Sequence, residues 1–510
     1  MHAPPERDEV WLNRGIVAVV LAVVFFVAAR THADPDLWGH VRFGQDILAG
    51  GIPSVDPYSY VSGDYPWINH ELLAEISFAA VFDVLGVPGL VGLKVALVLI
   101  TLGLVYWRLC SRGMNAIRAG MVVIAVLMLM SVGVWTIRPQ LFTYLFFLLT
   151  LLLIDSADRG SRAALWALPA VVLLWVNSHG GFLAGLAVLG IWAALRAATQ
   201  LWPGGRVASA DGPKLAVLAA VLSACAAATL VNPYGPKLLA FLLRTATVAR
   251  PEIGEWGPVV IGTPEGLAYL VVISVSVLVL IRTKLPRRPS LIAVLAATAL
   301  LPLQAQRHLP LFALSFAVLA GEHLTDVWNR AMPSQDSAGR KLPVFVPFAV
   351  AAAFFVFAWP HFRCIRIEPS FVRFPVRAVA VMDRAGVKGN LATFFDWGEY
   401  ILWHLSPNVR VSIDGRRETV YSPESYSRSM RFLYGVGEWD AILDDPRTDM
   451  ALVGRDQPTY NLIRLKPGWQ VVYEDSLSGL FMRDGSPQAE AIRGTVPPDV
   501  PADGAGVCFP

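Results

Sequence analysis

Charged side chains are scarce in this sequence. Asp, Glu, Lys and Arg account for 16% of 510 residues, against about a quarter in a typical soluble chain, which excludes an ordinary water-soluble globular protein. Cysteine is scarcer still. Cys110, Cys225, Cys364 and Cys508 are scattered and lack the spacing of a zinc or redox motif. Cys110 and Cys225 lie in or beside apolar stretches and read as packing residues. Cys364 and Cys508 flank the C-terminal region and could pair if it lies outside the cytoplasm, although sequence separation does not show that they meet. No Walker A loop, GxGxxG-type fingerprint or paired CxxC is present, which removes the common nucleotide-binding motifs. A net charge of +3 gives no argument for nucleic acid as a partner. No internal repeat is evident. The apolar run behind Arg14 lacks a small-residue cleavage site, so it reads as an uncleaved span rather than a signal peptide.

What fills the sequence is apolar, with 55% hydrophobic residues and a mean hydropathy of +0.52. About eleven runs are long enough, with their flanks, to cross roughly 30 Å of hydrocarbon. They are 15–29, 90–106, 119–134, 141–154, 164–176, 182–194, 216–231, 267–281, 291–303, 309–320 and 344–358. Segment 71–85 carries Glu71, Glu75 and Asp83, so it reads as a helix lying at the membrane interface.

Loop charge sets the orientation. With the N-terminus inside, alternate connections hold Arg108, Arg112 and Arg118, then Arg159 and Arg162, then Arg196, Arg206 and Lys214. The next hold Arg282, Lys284, Arg287 and Arg288, then Arg330, Arg340 and Lys341. Positive charge belongs on the cytoplasmic side, and counting 71–85 as a span would invert every later loop. The outer connections are then 31–89, 135–140, 177–181, 232–265, 304–308 and everything after 359. They contain nearly all the distinctive polar residues. Few ionisable residues lie within the spans, Lys94 being the clearest, which argues against a transport path through the midplane.

The expected organisation is a transmembrane domain over 1–359 that includes the long first outer loop 31–89. An extracytoplasmic α/β domain over 360–484 and a disordered Pro/Gly-rich tail over 485–510 follow. In the loop, 36–48 reads as an amphipathic helix, with Leu37, Val41, Phe43, Ile47 and Leu48 against His40, Arg42 and Gln45. In the C-terminal domain, 376–385 and 422–433 read as helices, 391–395 and 409–413 as strands, and 469–483 as a hairpin.

The most informative stretch is Asp34-Pro35-Asp36-Leu37-Trp38-Gly39-His40, directly after the first span. Two carboxylates at the mouth of a span are costly to desolvate and normally sit in a wet functional cavity. They can hold a divalent cation or take a proton from an attacking hydroxyl. The plain alternative is that Asp34 ends one helix and Asp36 caps the next.

An N-terminal span, an acidic motif, an amphipathic loop helix and an aromatic-rich return together resemble the GT-C superfamily of membrane glycosyltransferases. The specific resemblance is to bacterial members related to the protein O-mannosyltransferase and lipid A aminoarabinose transferase group. It rests on the Asp34–His40 motif, Trp67-Ile68-Asn69-His70-Glu71, Arg138-Pro139-Gln140 and Asn177-Ser178-His179-Gly180-Gly181. Asn232-Pro233-Tyr234-Gly235 and Arg307-His308-Leu309-Pro310 complete it, so that it covers roughly 11–320. One proline separates the acidic pair, where many relatives have adjacent acids. Phe394-Phe395-Asp396-Trp397-Gly398 is similar to the WWDYG motif with which the oligosaccharyltransferase catalytic subunit reads its acceptor peptide; a strand followed by a Trp-Gly turn would give the same letters. Asp414-Gly415-Arg416-Arg417 reads as a turn with an exposed basic pair.

The resemblance implies a polytopic GT-C-like membrane enzyme that moves a sugar from a polyprenyl-phosphate donor to an extracytoplasmic acceptor: protein, lipid or glycan. It implies a bacterial inner (cytoplasmic) membrane location, with the site and C-terminal domain facing the periplasm or exterior. Such transfer needs a base for the acceptor hydroxyl and cationic help for the departing phosphate. Asp36 is the candidate base, or the carboxylate that orients acceptor or metal, with Asp34 beside it. Together they are the candidate ligands for a divalent cation such as Mg or Mn. Arg138, Arg307 and His179 are candidate contacts for the donor phosphate, although border arginines also snorkel for structural reasons. Trp38, Trp67, Asn69, His70, Asn177 and Tyr234 are candidate substrate contacts; interfacial aromatics also belt membranes by default. The competing readings are a transporter or flippase of a lipid-linked saccharide, an oligosaccharyltransferase-like enzyme, and a polytopic scaffold displaying a binding domain.

Overall fold

The computed structural model of the protein describes residues 7–63, 65–201, 213–246, 248, 250, 253–333 and 345–510. Arg206, Arg340 and Lys341, and the first residue of the run at 344–358, lie outside them. The chain forms two compact units. The first comprises Met1–Arg30, Val91–Trp135 and Pro139–Phe362; the second comprises Thr31–Leu90, Thr136–Arg138 and Arg363–Pro510. The loop 31–89, read from sequence with the membrane helices, is thus grouped with the C-terminal residues.

The first unit is helical. Among the described residues, seven helices are long and apolar enough to cross a membrane: Trp11–Ala29, Leu72–Ser111, Gln140–Asp158, Phe182–Leu201, Pro264–Arg282, Gln306–Ala331 and Phe345–Phe362. Four shorter apolar helices are Ala116–Ser131, Arg162–Val176, Leu215–Ala228 and Pro289–Leu303. Leu72–Ser111 is broken at Gly86, whose φ of 63° is the left-handed region glycine tolerates, beside Pro88, which has no N–H to give. Residues before the break belong to the second unit and those from Val91 to the first.

Ion pairs mark one end of this helical unit. Asp155, near the C-terminal end of Gln140–Asp158, takes Arg108 at 2.6 Å and Arg112 at 3.1 Å. Arg159 joins Glu322 at 2.6 Å, and Asp158 takes Arg288 at 3.0 Å and Arg196 at 3.4 Å. Arginines from successive positively charged connections therefore meet at one end, where their charge also offsets the helix C-terminus and the buried acids. At the other end of the same helix, Gln140 Oε1 lies 3.5 Å from Arg307 and Thr143 Oγ1 lies 2.8 Å from His179 Nδ1.

Lys94, the clearest charge within a span, is fully buried and donates to the carbonyls of Arg30 and Val134, both at 2.9 Å. A cation there satisfies carbonyls that two helix ends leave open, and the role is structural.

The second unit carries a five-stranded sheet of order β2-β1-β3-β5-β4. Its strands are β1 (Gly389–Thr393), β2 (Val409–Val411), β3 (Met450–Gly454), β4 (Trp469–Glu474) and β5 (Ser478–Arg483). β1 pairs parallel with β2 and β3, whereas β5 pairs antiparallel with β3 and β4. The parallel step from β1 to β2 requires a crossover, supplied by the helix Phe395–Leu405. Met450, Leu452, Val453 and Phe481 are fully buried in the centre of the sheet.

The tail expected to be disordered is ordered. It contains a helix, Gln488–Gly494, and ends in a disulfide between Cys508 and Cys364. Phe509, 1% exposed, packs within 5.6 Å of the rings of Trp38, Phe82 and Trp403. Its few apolar residues suffice because the covalent link and one aromatic anchor hold it.

Candidate active site

All of the following cluster lies within the second unit. Asp34 and Asp36 enter it on the turn before the helix Leu37–Gly50, here called the loop helix. Asp34 has no exposed surface; its Oδ2 lies 2.7 Å from Arg138 Nε, and its Oδ1 accepts the Asp36 N–H at 3.1 Å. Asp36 Oδ2 lies 3.2 Å from Arg138 Nη2, and 29% of its side chain remains exposed. Arg138 thus grips both carboxylates, of which Asp36 is the more exposed.

More acids approach from the sheet, at the carboxyl ends of parallel strands where α/β folds place their sites. Asp396 and Glu399 follow β1 on the crossover helix, and Asp414 follows β2. Glu399, 3% exposed, accepts the Gly39 N–H at 3.1 Å. A Cβ on Gly415 would run into Asp36 Oδ1, so only glycine lets this loop approach so closely.

The crowding of acids shows in their protonation. Burial raises the Asp36 carboxyl above its usual value; Arg138 and His40 oppose the rise, while Asp34 and Glu71 add to it. Asp396 is pushed up to about 7 by burial and by Asp36 and Asp34 against Arg138. Glu399 lies well above the ordinary carboxylate range because it is buried beside Asp36 and Asp414.

Beside the pair, His40 Nδ1 lies 3.3 Å from Glu75 Oε1 and 3.9 Å from Glu71 Oε2. Asn69 Nδ2 donates to Glu75 Oε2 at 2.5 Å, and Asn69 Oδ1 accepts the Glu71 N–H. Burial disfavours the imidazolium, yet the Glu75 hydrogen bond and the charges of Glu71, Glu75 and Asp36 raise His40 to about 9. Ligand atoms of His40, Glu71 and Glu75 all lie within 4.8 Å of one another, so this trio fits a metal ion. Asp34 fits less well, because both of its oxygens already serve Arg138 and the backbone.

The basic pair expected to be exposed is buried. Arg416, with 6% side-chain exposure, binds Asp414 through Nε at 3.0 Å and Nη2 at 2.6 Å, and Asp56 through Nη1 at 2.8 Å. Its guanidinium lies 4.6 to 5.0 Å from the ring centres of Phe43, Tyr58 and Trp67. Three aromatic faces and two acids therefore enclose one cation. This corrects two further readings. Trp67, 3% exposed, is a wall of that cage, and Trp38, wholly buried against Phe374, Tyr400 and Phe509, is core. Neither has a face left for a sugar. Asn69 is likewise buried and committed to Glu75 and Glu71. His70 stays partly exposed, 3.7 Å from Glu71.

The remaining candidates lie in the first unit. Asn177 Nδ2 donates to the carbonyls of Leu173 and Val231, just before the turn in which Asn232 Oδ1 accepts the Tyr234 N–H. His179 Nδ1 accepts the Gly181 N–H at 2.9 Å, and Thr143 in turn accepts from Trp175 Nε1. These bonds make Nδ1 an acceptor and place the imidazole proton on Nε2. Arg307 lies 4.4 Å from the Trp256 ring centre and 3.7 Å from Glu255.

The fold, a body of long apolar helices and a unit with a small mixed sheet, is of the kind the GT-C resemblance implied, and solved structures share it. In particular, the chain is similar to ArnT from Cupriavidus metallidurans bound to undecaprenyl phosphate, with 15% identity, a TM-score of 0.51, and 92% of this chain and 98% of that one covered. ArnT in the apo state gives 13% identity and a TM-score of 0.51, covering 91% and 96%. The apo oligosaccharyltransferase of Archaeoglobus fulgidus gives 11% identity and a TM-score of 0.52, covering 86% and 69%. No protein-family profile and no curated sequence matches the chain.

Proposed function

We propose that this integral membrane protein transfers a sugar from a polyprenyl-phosphate donor to a hydroxyl-bearing acceptor outside the cytoplasm, with Asp36 as the base. One observation carries the reading: Arg138 fixes a buried Asp34 and a partly exposed Asp36 side by side. That leaves one oriented carboxylate open to an acceptor, with its proton affinity raised toward that of a useful base. The shared fold with ArnT, whose crystal structure holds undecaprenyl phosphate, supports a lipid-linked donor. Arg307 and His179 are the proposed donor-phosphate contacts; a guanidinium and an imidazole N–H suit that anion. Arg138 is assigned instead to orienting Asp36, and the partly exposed His70, Asn177 and Tyr234 remain the proposed substrate contacts.

The disulfide supports an extracytoplasmic second unit, since such bonds persist in oxidising compartments, and the clustered arginines of the first unit support a cytoplasmic placement of that end of its helices. In a bacterium this means the inner membrane with the acidic cluster facing the periplasm or exterior. If a divalent cation takes part, His40, Glu71 and Glu75 are the residues that would hold it, and it would supply positive charge near the acids. A carboxylate and imidazole set favours Mn over Mg.

A second reading, an acceptor peptide as in oligosaccharyltransferases, is favoured by one detail. The Phe394–Gly398 motif puts Asp396 within electrostatic reach of Asp36. Purified protein in lipid vesicles should transfer sugar from a polyprenyl-phosphate sugar and not from a nucleotide sugar. Transfer from the nucleotide donor with no lipid carrier present would overturn the proposal.

A further inference from the structure

A base must keep its carboxylate away from the backbone, and Asp36 stands where aspartate usually does the opposite. It occupies the N-cap position of the loop helix, where an Asp side chain typically accepts an N–H from the first turn and stabilises the helix. Here its backbone is helical, with φ −85° and ψ −11°, and its side chain makes no cap bond. One of the two N–H groups that an N-cap carboxylate can take, that of Gly39 at the third helical position, donates instead to Glu399 Oε2 at 3.1 Å, 360 positions away.

We propose that Glu399 is a positioning residue that caps the loop helix in place of Asp36, and so leaves the Asp36 carboxylate to Arg138 and the acceptor. The inference rests on the proposed role of Asp36 as base. Glycines clear the way for the exchange at three contacts. A Cβ on Gly39 would collide with Glu399 Oε2. One on Gly398, next to Glu399, would collide with the Ile413 carbonyl and come within 2.7 Å of the Asp414 Cα. One on Gly415 would collide with Asp36 Oδ1 and lie 2.9 Å from Glu399 Oε1. The crossover helix, the loop after β2 and the loop helix therefore approach closely at these glycines, and the Asp36 and Glu399 carboxyl groups converge on Gly415. Glu399 is too buried, at 3% exposure, to meet a substrate itself.

The test uses the purified full-length protein and two readouts. One is labelling of Asp36 by a water-soluble carbodiimide with glycine ethyl ester, read by peptide mass spectrometry. The other is kcat and KM with a polyprenyl-phosphate sugar. Glu399→Gln keeps an oxygen that can accept the Gly39 N–H, so labelling and kcat should stay near wild type. Glu399→Met keeps the bulk and removes the acceptor. Asp36 should then turn onto Gly39, with labelling falling severalfold and kcat by about 10²-fold at unchanged donor KM, the usual scale for a misplaced catalytic group. Gly39→Ala breaks the same bond from the other side and should give the same loss. Wild-type labelling in folded Glu399→Met or Gly39→Ala protein would overturn the proposal. So would a loss in Glu399→Gln equal to that in Glu399→Met, since charge rather than capping would then be the role. Full activity of Asp36→Asn alongside reduced Asp36 labelling in Glu399→Met would instead reject the base and leave the cap standing.

Discussion

Arg138 Nε lies 2.7 Å from Oδ2 of Asp34, a carboxylate with no solvent exposure. That bond divides the labour of the acidic pair. Asp34 anchors the guanidinium, and the guanidinium sets the position of Asp36, 3.2 Å from Nη2. An aspartate that a single proline separates from the proposed base therefore contacts it through an arginine 104 positions away.

Asp34→Asn should lower activity less than Asp36→Asn and move the acid limb of the pH–rate profile to lower pH. The sign follows from the neighbours: Asp34 is a negative charge that raises Asp36, so removing it lowers the pH at which Asp36 loses its proton. Freed from Asp34, Arg138 works in the same direction. A shift of the acid limb to higher pH would contradict this arrangement.

His40 makes stability depend on pH. Its folded value of about 9 exceeds its ordinary value of 6.5, so its contribution is complete below about pH 6.5 and disappears as pH rises through 9. The difference amounts to on the order of 3 kcal/mol. Tm should fall between pH 6.5 and 9 in wild type and lose that slope in His40→Gln. A divalent ion on His40, Glu71 and Glu75 would compete with the proton and reverse the trend, and a chelator would then lower Tm at high pH.

Arg416→Ala should cost about 3–5 kcal/mol, the usual penalty for leaving buried charges without their partner. Asp414 and Asp56, both fully buried at the side chain, would be stranded together. Arg416→Lys should recover only part of the loss, since an ammonium cannot make the bidentate bond or fill the aromatic box. Denaturation of the detergent-solubilised protein measures both; wild-type stability in Arg416→Ala would contradict the cage.

Lys94→Met should lower Tm without changing donor specificity. The ammonium serves the carbonyls of Arg30 and Val134, and its loss leaves both helix ends without that donor at an estimated 1–3 kcal/mol. A change of transported or transferred substrate in this variant would instead point to a path through the helices.

Much of the helical body could be read from the sequence because apolar runs and loop arginines are local signals. Among the described residues, each run from 15–29 to 345–358 lies wholly or largely on a helix, and Arg108, Arg159, Arg196 and Arg288 gather at one end. The loop helix was legible from its apolar stripe, as was the hairpin of β4 and β5. β3 was missed because Met450-Ala451-Leu452-Val453 is apolar throughout and shows no alternation; every residue of it is buried. The crossover helix was hidden by aromatic residues at Phe394 to Trp397 that suggest a strand and turn. The cluster itself depends on distant partners. Nothing local to Asp414-Gly415-Arg416-Arg417 announces Asp56 or the three rings, and nothing near Glu399 announces Gly39.

The most direct measurement is the transfer rate of Asp36→Asn with a polyprenyl-phosphate sugar, alongside binding of the same donor to the purified variant. The substitution keeps the shape and removes the proton acceptor, so transfer should fall by about 10²–10⁴-fold while donor binding and Tm stay near wild type. A stable Asp36→Asn protein that transfers sugar at the wild-type rate would contradict the assignment of Asp36 as the base.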